Sequence, residues 1–304
     1  MFVLYHPGYV VDLGEAHRFP MAKYRLVYER LLLEGTLDGV RLLQPEPVAV
    51  ADLLLVHTQD YVERFLRGQM ALKDMRLLGF PWSAALARRA RLATQGTLSA
   101  SVLAWEQHGL AANLAGGSHH AFADHGEGFS VFNDIAVAIR VLQHDYGLQR
   151  ALIMDCDVHQ GNGTAAIFRG DPQVFTCSLH GAKNYPFRKE QSSLDIELPD
   201  GTTDDAYLEV LCAHLPRVLE CFQPQMVWYL AGVDPYAGDK LGRLALSLDG
   251  LRQRDAYVLQ TCWQAGLPVV TTMGGGYAPQ IEDVVEAHCT TVRLACRLAG
   301  AARP

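Results

Sequence analysis

Two carboxylates and an imidazole stand at alternate positions in Asp155-Cys156-Asp157-Val158-His159, directly after the apolar run 151–154 and before Gln160-Gly161-Asn162-Gly163. If the strand continues through this segment, its period of two puts Asp155, Asp157 and His159 on one side, and the glycines turn the chain beyond them. Asp and His without a nearby Cys suit a divalent metal of zinc or ferrous type, although a lone Asp-x-His serves equally in a hydrogen-bonded structural cluster. Asp234, after the apolar run 226–231, adds a further carboxylate. Two Asp and one His make three protein ligands and leave a fourth position open, which is the catalytic rather than the structural pattern.

Two further clusters carry groups able to move protons. Adjacent histidines commonly reflect surface chance or one buried, satisfied ring. His119 and His120, however, follow the apolar run 110–115 and a Gly116-Gly117 turn, and the acidic cluster supplies acceptors for them. Neutral imidazoles beside a metal can take and return a proton near neutral pH. Gly274-Gly275-Gly276-Tyr277 follows the run 269–273 and precedes a helix that Pro279 is expected to open. Glycines there let the backbone approach a ligand closely, and a Tyr hydroxyl could donate to a developing oxyanion.

The elements that must position these groups are legible as periodicity. Short apolar runs at 2–5, 110–115, 151–154, 174–179, 226–231 and 269–273 alternate with helix-like stretches near 22–34, 83–107, 133–145, 204–222, 250–265 and 280–299. This alternation predicts an α/β fold with a mostly parallel central sheet covered by helices on both faces. Ligands bind beyond the carboxyl ends of strands in such sheets, so the four clusters should meet at one crevice. The stretch 183–203 lacks clear periodicity and reads as a long surface loop near the site.

Composition narrows the class. Of 304 residues, 49% are hydrophobic and 19% charged, which excludes a disordered chain. With 26 Lys and Arg against 33 Asp and Glu, the net charge is −7, and the densest basic run, Arg88, Arg89 and Arg91, sits on a predicted helix. Neither feature suits a nucleic-acid partner. Seven cysteines form no Cys-x-x-Cys pair, which fits reduced thiols in the cytoplasm. No secretory signal is visible, and no run reaches the ~18 apolar residues needed to span a membrane.

In order along the chain, Gly116-Gly117-Ser118-His119-His120-Ala121, Asp155-x-Asp157-x-His159-x-Gly161-Asn162-Gly163, Ala231-Gly232-x-Asp234 with Gly238-Asp239-Lys240-Leu241-Gly242, and Gly274-Gly275-Gly276-Tyr277 resemble the signature segments of the histone deacetylase family of metal-dependent amidohydrolases. Tyr5-His6-Pro7 and His17-Arg18-Phe19-Pro20 extend the resemblance over roughly residues 1–300. It implies a three-layer arginase/deacetylase-type fold and one catalytic domain over residues 1–304. It also implies hydrolysis of an acyl-lysine or another N-acyl amine.

The same resemblance assigns roles. Asp157, His159 and Asp234 become ligands of Zn2+ or Fe2+, His120 the general base and then acid, His119 its electrostatic partner, and Tyr277 the group that polarises the carbonyl. Asp155 would orient His119 and, with Asp157, His159, Ser178 and Leu179, hold a structural K+. Gly128, Phe129 and Gly275 would line the substrate channel, with Tyr185 or Phe187 facing Phe129. Asn162 stands where many family members carry Asp, which predicts a less basic His120. The Gln160-Gly161-Asn162-Gly163 form resembles the class IV (eleven-type) branch and its bacterial relatives, suggesting tolerance of acyl groups longer than acetyl. Acetylated polyamines fit the same chemistry. A non-catalytic acyl-lysine binding module would not need the complete ligand, base and Tyr set, and a binuclear manganese ureohydrolase needs further bridging carboxylates.

Overall fold

A strand buried on both faces reads as an unbroken apolar run, yet its side chains still alternate between two cores. Met226-Val227-Trp228-Tyr229-Leu230-Ala231 does this: Trp228 and Leu230 pack into one cluster, Val227, Tyr229 and Ala231 into the other. The structure, a computed structural model, describes residues 1–14 and 17–301. The single-domain expectation at 15–16 and 302–304 therefore falls outside the described residues.

The chain runs β1 (Phe2–Leu4), α1 (Lys23–Leu33), β2 (Arg41–Leu43), α2 (Val50–Leu53), α3 (Gln59–Leu66), α4 (Leu72–Leu78), α5 (Ala84–Gln107), β3 (Leu110–Asn113) and α6 (Asp134–Asp145). It continues through β4 (Ala151–Asp155), α7 (Asn162–Ile167), β5 (Val174–Gly181), β6 (Leu194–Leu198), α8 (Asp204–Phe222), β7 (Met226–Gly232), α9 (Leu248–Gln264), β8 (Val269–Gly274) and α10 (Ile281–Gly300). All eight strands pair in parallel, in the order β2-β1-β3-β8-β7-β4-β5-β6. The strands β3, β8, β7 and β4 that precede the four chemical clusters are neighbours at its centre. Leu31 of α1, Leu92 of α5 and Ile139 of α6 pack on one face; Leu211 of α8 and Val258 of α9 pack on the other. α10 serves both, with Val285 and Cys289 in the first cluster and Val284 and Ala287 in the second.

Two expectations need correction. The stretch 183–203 is not wholly loop, because β6 pairs Leu194 to Leu198 with Cys177 to Gly181 of β5. Leu194, Ile196 and Leu198 alternate there with Asp195 and Glu197, a half-exposed edge strand whose five residues are too few to stand out beside polar flanks. α10 starts at Ile281 with Gln280 as its cap, two residues beyond Pro279. The short elements β2, α2, α3, α4 and α7 are too brief to show a period. No helix among the described residues is long and apolar enough to cross a membrane, and all seven cysteines are free.

One buried side chain pins the segment that carries Gly128 and Phe129. His57 Nδ1 lies 2.9 Å from the Phe122 carbonyl, and the Asn133 amide donates to His57 Nε2 at 3.0 Å. Both bonds are made only by the neutral ring protonated at Nδ1, and burial lowers its pKa from 6.5 to about 4. Between those values the unfolded chain binds a proton that the folded chain does not, so stability is complete above about pH 6.5 and falls on acidification towards pH 4. A His57→Gln variant should be less stable at pH 7 but lack this contribution, at most about 1.4 kcal/mol per pH unit. Denaturant titrations at pH 7 and 5 on both proteins check it; equal pH dependence would remove His57 as the cause.

Candidate active site

At the end of β3 the backbone must turn sharply without blocking β8. Gly117 has φ +71, and a Cβ there would lie 2.2 Å from the Met273 carbonyl oxygen, so only glycine fits. Asp134, at the first turn of α6, accepts from the amides of Gly117 at 3.1 Å and Ser118 at 2.8 Å and locks the turn. The chain therefore presents His119 and His120 side by side, ring centroids 4.1 Å apart and both buried.

β4 stops at Asp155, so the acidic segment does not continue as a strand and its three side chains do not share one side. Successive side-chain to backbone hydrogen bonds coil it instead. Asp155 Oδ1 accepts from Asp157 N at 3.0 Å, and Asp157 Oδ1 from His159 N at 2.9 Å. Asp155 is turned to His119, its Oδ2 accepting from Nδ1 at 2.7 Å, while Asp157 and His159 face Asp234. Asp234, just past β7, accepts from Val158 N at 2.9 Å. Arg254 of α9, wholly buried beside Asp255, donates to the carbonyls of Gly232 at 2.6 Å and Cys156 at 3.2 Å and so ties the two strand ends together.

One ligand atom each from Asp157, His159 and Asp234 falls within 4.8 Å of the others, and all three residues are buried. Asp234 Oδ2 has no hydrogen-bond partner among the described residues, although it lies 3.1 Å from His159 Nδ1. Burial and the neighbouring Asp157 raise the Asp234 carboxyl to about 7, while Asp157 is held low, against its own burial, by His119 and His159. A buried like-charge pair with an orphaned oxygen is a site that a cation completes, and two carboxylates with one imidazole suit zinc or ferrous iron. Glycine keeps the space open: a Cβ on Gly275 would lie 2.2 Å from the Asp234 carboxylate.

The two histidines are pushed in opposite directions. Burial alone would lower His119, but Asp155 and Asp157 overcome it and raise its pKa to about 9. His120 is driven well below 6.5 by burial and then by the charges on His119 and His159, and its bond to Asn162 only partly offsets this. Asn162 Nδ2 donates to the Glu127 carboxylate at 3.0 Å, which turns Oδ1 towards His120 Nδ1 at 2.6 Å. An amide oxygen only accepts, so Nδ1 carries the proton and Nε2 keeps its lone pair.

Tyr277 lines the same cavity. Its backbone N–H donates to Asp239 Oδ2 at 2.6 Å. Burial, then Asp234 and Asp157, raise its phenol well above 10 and keep it protonated. The cavity has a volume of about 580 Å³ and is walled by Gly128, Phe129, Tyr185 and Gly275, with Asp157, His159 and Asp234 also among its lining. Tyr185 places its ring centroid 5.1 Å from that of His120, whereas Phe187 is 87% exposed, so Tyr185 is the inner aromatic. Asp155, Asn162, Ser178 and Leu179 are buried and do not line the cavity; β4 and β5 pair Asp155 with Ser178.

Sequence reading missed Lys23, Glu127 and Arg254, and it placed Arg89 only in a basic helical run, whereas Arg89 is buried in the cavity lining and donates to the Tyr9 carbonyl at 2.7 Å. Lys23 is buried in the cavity wall, donates to the Gly275 carbonyl, and sits 4.9 Å over the Phe19 ring. Glu127 also accepts from the Tyr185 hydroxyl. Each is one polar residue that reaches at least one partner distant in the chain, and only its place within a helix or beside Gly128-Phe129 could have drawn notice.

Comparison with known proteins shows the family and the fold. Residues 17–292 match the family model described as histone deacetylase domain. An uncharacterized protein of Picosynechococcus sp. is 47% identical over 96% of this chain and 97% of its own length. Histone deacetylase 2 of Arabidopsis thaliana is 30% identical over 93% of this chain and 76% of its own. Among solved structures, the HDA15 HD domain superimposes with a TM-score of 0.83 at 22% identity, covering 99% of this chain and 92% of that one, which establishes the shared fold.

Proposed function

The chain belongs to the histone deacetylase family, and from that premise we propose that it is a metal-dependent deacylase of acyl-lysine, with residues 1–304 acting as one catalytic domain. Asp157, His159 and Asp234 would hold zinc or ferrous iron, which supplies Lewis-acid polarisation of the amide carbonyl and acidifies water. His120 takes a proton from the attacking water at Nε2 and returns it to the leaving amine. The C–O bond forms, the C–N bond breaks, and the acyl group leaves as a carboxylate. Tyr277 donates to the carbonyl oxygen as it gains charge. His119, tied to Asp155, stabilises the charge distribution beside His120, and Asn162 fixes the tautomer of His120. A K+ held by Asp155, Asp157, His159, Ser178 and Leu179 would brace the loop from behind. The proposed site of action is the cytoplasm, a compartment that keeps thiols such as these seven cysteines reduced.

The observation that carries the reading is His120 Nε2, left as a free acceptor by the Asn162 bond, in the same cavity as the three candidate metal ligands. The channel walls Gly128, Phe129 and Tyr185 suit a slender alkyl stem such as that of lysine. Acetyl-lysine peptides, longer acyl-lysine peptides and acetylated polyamines should be assayed with metal-free protein and with protein reconstituted with zinc or iron. Acyl-lysine hydrolysis should require metal at about one ion per chain. No hydrolysis of any substrate by metal-loaded protein would overturn the reading.

A further inference from the structure

The mouth of the cavity is cationic in a chain whose acids outnumber its bases. Arg18 before α1, Arg76 on α4, Lys183 beyond β5, and Lys240 and Arg243 beyond β7 all line it, and all five are exposed. Among the described residues, the only carboxylates in the lining are the candidate ligands Asp157 and Asp234, deep inside. Little neutralises the opening. Arg18, Arg76 and Lys240 have no ion-pair partner among the described residues, and Lys183 and Arg243 share the single carboxylate of Asp200, at 3.8 and 3.4 Å. Nearby acids are turned inward: Glu127 is engaged by Asn162 and Tyr185, and Asp239 by the amides of Leu241, Gly242 and Tyr277.

A cleft lined by one sign of charge concentrates counter-charged ligands and rejects like-charged ones. Resting on the deacylase reading, we propose that the substrate is an acyl-lysine flanked by Asp or Glu residues, not a basic peptide or a polyamine. The five cations come from four separate stretches of chain, so residues on either side of the lysine can meet positive charge. Arginines offer planar forks that match carboxylates, and the Arg18 guanidinium lies 5.0 Å over the Phe129 ring at the channel wall. Phe187 and Leu77, 87% and 45% exposed, stand among these cations and give apolar contact that suits a peptide more than a bare anion.

Three acetyl-lysine peptides with acidic, neutral and basic flanks test this on the metal-loaded chain, by turnover and, separately, by fluorescence anisotropy of labelled peptides. At low salt the acidic peptide should exceed the basic one by about tenfold or more in kcat/KM and in affinity, within the 10–10³ range of electrostatic steering. The gap should close towards 1 M salt, where the Debye length falls to about 3 Å. Arg76→Glu with Lys240→Glu, both exposed and without an ion-pair partner among the described residues, should abolish or invert the order, read as the ratio of acidic to basic peptide within each protein. Equal rates and affinities for all three, or preference for the basic flank, overturn the inference and leave deacylation standing. Selective binding of the acidic peptide without hydrolysis of any peptide upholds the cationic mouth and sinks the deacylase reading instead.

Discussion

Replacing His120 with alanine lowers kcat on an acyl-lysine peptide by about 10²–10⁴-fold, the range of a lost general acid–base group. The geometry makes this ring, and not His119, the one that moves protons. His119 Nδ1 is bound to Asp155, and its Nε2 lies 3.9 Å from Asp157, so both nitrogens face carboxylates. His120 has one nitrogen bound to a neutral amide and the other free. The substitution leaves Asn162 Oδ1 without its partner, a cost of about 1–3 kcal/mol, which lowers stability but does not account for the lost rate. Added imidazole should restore part of the activity, a response that a merely structural role would not give. A His120→Ala protein with parental kcat would remove the base assignment, and one that unfolds is replaced by His120→Gln, which keeps a polar group against Asn162.

Most of this site was readable because sheet topology converts sequence position into place. Each cluster follows an apolar run, and a parallel sheet sends every strand end to the same edge, so His119, Asp157, Asp234 and Tyr277 meet although the first and last are far apart in the chain. The order of the strands is not written in any one run; it follows from which helices cover which face. Alternation along β7 shows why: Trp228 and Tyr229 belong to different cores, yet both are simply apolar in the sequence. Local coiling was equally hidden. Asp155 and Asp157 look like one strand face, but their carboxylates bind the amides two residues on and end the strand. Lone polar residues were the least visible. Arg254 sits in an amphipathic helix like any surface arginine, and only the folded chain shows it holding the carbonyls of Cys156 and Gly232.

Tyr277→Phe isolates the second catalytic contribution with the smallest structural change. The phenol ring is packed between Phe19 and Phe129, each at a centroid distance of 6.1 Å, and phenylalanine keeps both contacts. The backbone bond from Tyr277 N to Asp239 does not depend on the side chain. The hydroxyl makes no hydrogen bond to protein among the described residues, so removing it strands no partner, and Tm should stay within a few degrees of the parent. What is lost is a donor aimed into a cavity where charge develops on the carbonyl oxygen. Such a donor costs about 10²–10³ in kcat when removed. Because it acts on charge that appears only in the transition state, kcat and kcat/KM should fall together with KM nearly unchanged. Steady-state kinetics on the same acyl-lysine peptide decide it. A rise in KM at constant kcat would make Tyr277 a substrate-binding group, and an unchanged pair of constants would take it out of the mechanism.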